Sequence, residues 1–143
     1  MMRHIKRKHV KITAICVVTI LIAVPIVFYV VRTFPRYKGA YSIADYEYGI
    51  EIGSYEYEKK YDDVEHYWNA YSIAKTEISE RFPNGSFSPF DIEYKREIYY
   101  DLQSDTWLVY VYPESLNKNI MILDGGYCCI VSSDGTVIAC WRD

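Results

Sequence analysis

Residues 12–31 read ITAICVVTILIAVPIVFYVV, twenty positions without a charge, and no other feature of the chain restricts its fold as tightly. Wound as an α-helix at about 1.5 Å per residue, the run is about 30 Å long, the thickness of a bilayer's hydrocarbon core. A buried helix of a soluble protein seldom runs this far without a polar face. Pro25 fits a spanning helix, where neighbouring groups re-satisfy the carbonyl it frees. A cleaved signal peptide has a shorter apolar region, about 7–15 residues, followed by a small-x-small site. Here Arg32-Thr33-Phe34-Pro35-Arg36 follows instead. The expectation is an uncleaved anchor.

Charge then sets the expected orientation. Arg3, Lys6, Arg7, Lys8 and Lys11 precede the apolar run, while Arg32, Arg36 and Lys38 follow it closely. The excess on the N-terminal side places that end in the cytoplasm and the rest outside. The expected organisation is a basic cytoplasmic tail (1–11), a transmembrane helix (12–31), a linker (32–40) and an extracytoplasmic domain (41–143). Roughly 110 residues after the helix suffice for one compact domain with its own core. Beyond Val31 the chain carries 11 basic and 19 acidic side chains, a net −8. That sign opposes phosphate neutralisation, so nucleic acid is not an expected ligand.

The domain reads as α+β. Tyr46, Tyr48, Ile50 and Ile52 alternate with Glu47, Gly49, Glu51 and Gly53, which predicts an edge strand or an irregular aromatic-acidic lead-in. Val64, Trp68, Tyr71, Ala74 or Lys75, Ile78 and Phe82 recur at three- and four-residue steps. They predict a helix of about twenty residues, capped by Asp62 or Asp63 and stopped at Pro83-Asn84-Gly85, with Trp68 in the core. Phe90, Ile92, Tyr94, Ile98 and Tyr100 at even positions predict a strand with one wet face, and residues 107–112 (WLVYVY) a second one. Residues 120–123 predict a short strand. Residues 127–132 and 136–141 predict a hairpin across Ser133-Asp134-Gly135. The expected architecture is one main helix packed on a curved antiparallel sheet.

The order of these elements resembles a bacterial group, the immunity proteins with a nuclear transport factor 2-like (cystatin-like) fold. Residues 70–80 of the helix, Tyr99-Tyr100-Asp101, Asp105-Thr106-Trp107-Leu108-Val109 and Gly125-Gly126-Tyr127 carry the likeness. So do Ser132-Ser133-Asp134-Gly135-Thr136-Val137 and Cys140-Trp141-Arg142, so that it spans about residues 67–143. The resemblance implies a small non-enzymatic protein that binds and neutralises a toxin. An acidic domain suits a basic toxin, and a domain held outside implies a target at the envelope. The alternative is a membrane-tethered sensor or regulator, similar to the small anchored domains of the PepSY type.

Chemistry-bearing residues are few. Tyr94, Tyr99, Tyr100 and Asp101 are the types that move protons in apolar cones, but in this pattern they read first as sheet and turn residues. Asp62 and His66 stand four apart and lack a third ligand, which reads as a local surface pair; no metal or cofactor is expected. The acidic-aromatic segment is the candidate partner surface: Tyr46, Glu47, Tyr48, Glu51, Tyr55, Glu56, Tyr57 and Glu58. Tyrosines give contact area at low entropic cost and carboxylates steer a basic partner, unless these rings merely cover the sheet. Cysteines stand at 16, 128, 129 and 140. A two-residue turn at Asp134-Gly135 places Cys129 opposite Cys140; a three-residue turn, which suits Ser-Asp-Gly better, places Cys128 there. Either pair can oxidise outside the cell, or all can stay reduced and buried.

Overall fold

The computed structural model describes residues 2–53, 59–83, 94–114 and 125–143, with residues 2–14 described through their backbone alone. The first helix, α1 (Met2–Thr33), continues back through the basic tail rather than starting at residue 12. Its stretch Ile15–Thr33 has a mean hydropathy of 2.6 and is long and apolar enough to cross a membrane. Within it Thr19 returns its hydroxyl to the Ile15 carbonyl at 2.9 Å, so the polar atom is satisfied by its own helix.

The chain divides after Arg32, and the second unit is an α+β domain. Its elements are β1 (Arg36–Ala40), a 3₁₀ turn (Ile43–Tyr46), α2 (Glu47–Gly53), α3 (Tyr67–Arg81), β2 (Tyr94–Asp101), β3 (Thr106–Pro113), β4 (Tyr127–Ser132) and β5 (Val137–Arg142). The sheet order is β1-β2-β3-β4-β5. Strands β2 to β5 run antiparallel, but β1 pairs parallel to β2, so the sheet is mixed rather than purely antiparallel. That strand replaces part of the expected linker. Arg36, Tyr37 and Lys38 are exposed along an edge, so this strand has no apolar alternation to betray it.

The segment expected as an aromatic strand is instead the 3₁₀ turn followed by α2. Helix α3 has 15 residues, shorter than expected, because it starts at Tyr67. The cap is His66, whose Nδ1 accepts the Trp68 N–H at 3.4 Å, in place of Asp62 or Asp63. Residues 61–64 run beside the β4–β5 turn instead: Tyr61 N–H donates to Gly135 O (3.0 Å) and Val64 N–H to Ser133 O (2.8 Å). Gly135 at φ +82° is required here twice over, since a side chain would be strained and its Cβ would lie 2.6 Å from Tyr61 O. With the helix starting at 67, Asp62 and His66 are not one helical turn apart.

One core layer lies between α3 and the sheet. Ala70, Ile73, Ala74 and Ile78 bury against a row that crosses four strands: Ile98, Val109, Cys129 and Cys140. The buried face of α3 is thus turned from the expected stripe. Trp68 and Trp107 flank the layer half-buried, Trp68 edge-on to Phe34 at 4.5 Å and Trp107 against Tyr100 at 4.5 Å. Among the even-numbered residues of β2, Arg96 is as buried as its apolar neighbours. It donates to Tyr71 Oη (2.9 Å) and to the Tyr94 carbonyl (2.6 Å). The second core layer, on the opposite face, holds Leu108, Cys128, Ile130, Ala139 and Trp141 under Tyr41, Ile43, Tyr46 and Ile50. Phe90, Ile92 and the strand expected at 120–123 lie outside the described residues.

The hairpin β4–β5 stands where it was expected, and its register answers the turn question in an unexpected way. Next to the turn Val131 faces Val137, as a three-residue turn requires; a bulge after Ile130 then shifts the pairing by one. Cys129 therefore faces Cys140, and Cys128 faces Trp141. The preferred pairing of Cys128 with Cys140 is overturned, because these two side chains belong to opposite faces of the sheet.

Candidate partner-binding surface

The position of α2 is set by two small residues and one anchor. Gly49 and Gly53, four apart on one helical face, bring the helix backbone down onto β5. A Cβ on Gly49 would come 2.8 Å from Trp141 Cη2 and closer still to Cζ2 and Cε2 of that ring; one on Gly53 would come 2.9 Å from the Cys140 amide nitrogen. Asp101 holds the start of the preceding 3₁₀ turn by accepting the Ile43 N–H at 3.3 Å. The same carboxylate accepts from Ser104 Oγ (2.7 Å) and Gln103 N–H (2.9 Å), and these bonds keep its pKa below the ordinary aspartate value.

Seating the glycines decides where every other α2 side chain points. At 100° per residue Tyr46 and Ile50 follow the glycines inward, and Tyr46 lies 6.3 Å from Trp141. Glu47, Tyr48, Glu51 and Ile52 are left on the outside, with Tyr48 76% and Ile52 45% exposed. Of the residues expected to form a partner surface, Glu47, Tyr48 and Glu51 therefore share one exposed face, whereas Tyr46 packs against the core. Tyr55, Glu56, Tyr57 and Glu58 lie outside the described residues.

Tyr46 also leads to a second group that sequence reasoning missed. Glu97, Tyr99, Tyr110 and Tyr112 gather on the same side of the sheet, with Tyr110 and Tyr112 stacked at 4.9 Å. Tyr99 Oη donates to Glu97 Oε2 at 2.8 Å, and Lys38 lies 3.1 Å from Glu97 Oε1. Burial pushes the Glu97 carboxyl up, but the bonds from Tyr99, Lys38 and Tyr112 outweigh it and the net shift is downward. Burial raises Tyr99 and Tyr110 to about 12, with Glu97 adding at Tyr99 and Asp143 at Tyr110. At neutral pH these phenols are protonated donors suited to recognition, and poor proton acceptors. Two-residue spacing in WLVYVY is the one available sign that Tyr110 and Tyr112 share a face.

The residues with possible proton-transfer chemistry are not brought together. Tyr94 and Tyr100 belong to the α3 side of β2, while Tyr99 and Asp101 belong to the other. Tyr100 Oη donates to Asp105 Oδ1 at 2.6 Å, part of the β2–β3 turn. Among the described residues no three of His, Cys, Asp and Glu form a group able to hold a metal ion. No family model matches the chain, and neither a curated protein nor a solved structure matches it.

Proposed function

We propose that this chain is a membrane-anchored, non-enzymatic binding protein whose outward α2 face receives a basic protein partner. The observation that carries the reading is the seating of Gly49 and Gly53, which turns Tyr48 and Ile52 to solvent between Glu47 and Glu51. An exposed aromatic-aliphatic pair provides contact area, and flanking carboxylates on a domain of charge −9 (10 basic and 19 acidic residues over Thr33–Asp143) accelerate encounter with a cation-rich surface. In the fuller form of the proposal the chain is an immunity protein and the partner a toxin acting at the envelope. The cystatin-like reading of the fold belongs to the same proposal, supported by α3 packed on one face of a largely antiparallel sheet.

Photo-crosslinking in cells tests the surface. A photoreactive phenylalanine analogue replacing Tyr48 is expected to yield a discrete protein adduct, and the same residue replacing Leu102, which is 82% exposed in the β2–β3 turn, is expected to yield none. Adduct formation at Leu102 but not at Tyr48 would place the contact elsewhere. A basic toxin in the adduct supports immunity; a sensor kinase or membrane peptidase would replace it with the regulator reading.

Orientation is tested separately. A reporter active only outside the cytoplasm, fused after Asp143, is expected to be active, and neutralising Lys6, Arg7 and Lys8 is expected to lower that signal. Activity from a reporter that works only in the cytoplasm would reverse the orientation and remove the envelope target.

A further inference from the structure

We infer that Cys129 and Cys140 are a cross-strand disulfide site of the native sheet, closed when the domain meets a disulfide oxidant. The ladder supplies the geometry. Asp143 N–H donates to Gly126 O at 2.9 Å, so residues 126 and 143 form a hydrogen-bonded pair. Pairing continues as Tyr127 with Arg142, Cys128 with Trp141 and Cys129 with Cys140. Alternation along an antiparallel ladder makes the last a non-hydrogen-bonded pair, the kind whose side chains approach most closely, with Cα atoms about 4.5 Å apart. On the other side Ser133 N–H donates to Asp105 O (3.0 Å), and counting back along β4 turns the Cys129 amide toward β3, as the same alternation demands. Disulfides form at Cα separations of about 4.4–6.8 Å.

Both thiols are free and buried in one core layer, while Cys128 is in the other. Access comes through opening of β5, which ends the strand order. With oxidised glutathione as oxidant, one cysteine thiolate attacks a glutathione sulfur and releases a glutathione thiolate. The second cysteine attacks the mixed disulfide and releases the other. The two protein thiols give up two electrons and two protons, and the reagent leaves as two thiols. The bridge joins the strand on which α2 rests: Arg81 Nη1 donates to Cys140 O (3.4 Å) and to Gly53 O (3.0 Å). Oxidation therefore stiffens the support of the exposed α2 face.

The test uses the full chain in detergent, folded, with oxidised glutathione and a catalytic amount of the reduced form. Alkylation after denaturation is expected to fall from four thiols to two. Cys128→Ala is expected still to close the bridge, and Cys129→Ala and Cys140→Ala to form none. Closure of a loop this short is expected to raise Tm by roughly 5–10 °C, reversed by dithiothreitol. An unchanged thiol count in the folded protein, a persistent mixed glutathione disulfide, or a bridge abolished by Cys128→Ala would overturn the inference.

Discussion

Replacing Glu77 with alanine is expected to lower the stability of the domain by about 2–3 kcal/mol, a large share of what a unit this size possesses. Glu77 is 2% exposed on the buried face of α3, a position where the helical pattern calls for an apolar residue. Three donors converge on its carboxylate. Tyr61 Oη lies 2.6 Å from Oε1, Lys59 Nζ 3.0 Å from the same oxygen, and Arg81 Nε 3.1 Å from Oε2. Together they tie the segment before α3 to the last turns of that helix. Truncation leaves the Tyr61 hydroxyl without its acceptor and two cations without their shared anion. The cost stays below the ~3–5 kcal/mol of a fully buried pair because Lys59 and Arg81 are partly exposed and regain water.

The same cluster gives a pH signature. Burial pushes the Glu77 carboxyl up, yet the hydrogen bonds from Tyr61, Lys59 and Arg81 together bring its pKa below the ordinary 4.5. A carboxylate whose folded pKa is depressed stabilises the fold fully above its unfolded pKa, and that contribution fades as pH falls through the folded one. The stability difference between the parent and Glu77→Ala, measured by urea unfolding, is therefore expected to be constant near neutrality and to shrink below 4.5. A difference that grew on acidification would show that Glu77 is held as a strained, destabilised anion.

The second large effect is expected at Gly49. The substitution Gly49→Leu puts a Cβ into the Trp141 ring, which is 7% exposed and enclosed by the same turn. Overpacking of this kind costs about 1–3 kcal/mol when neighbours can shift, and here the neighbour is a rigid indole. The expected result is a loss of about 3 kcal/mol with α2 lifted from β5, seen as faster amide exchange at 49–53 and a red shift of tryptophan emission. Glu47→Leu, on the outward face of the same helix, is expected to change stability by less than about 0.5 kcal/mol. If Gly49→Leu melts like the parent, α2 does not rest on Trp141, and the exposed face built on that contact has no foundation.

Strong local periodicities made part of this architecture legible from the residues alone. The uncharged run produces the apolar helix, the alternation in β2 and β3 produces a sheet with two distinct faces, and Ser133-Asp134-Gly135 produces the hairpin turn. Each of these signals lies within a few neighbouring positions, where burial and backbone preference act on the same residues. Elsewhere the deciding contact comes from a distant part of the chain. Strand β1 forms because the edge of β2 offers a ladder to a segment whose own side chains carry no strand pattern. A single bulge after Ile130 moves Cys140 from Cys128 to Cys129, a one-residue shift that turn chemistry does not announce. Tyr46, Tyr48, Ile50 and Ile52 alternate like a strand, yet the segment winds into a helix. Gly49 and Gly53 let its backbone reach β5: the Trp141 indole fills the space a Gly49 side chain would need, and Gly53 lies against Cys140 and Ala139.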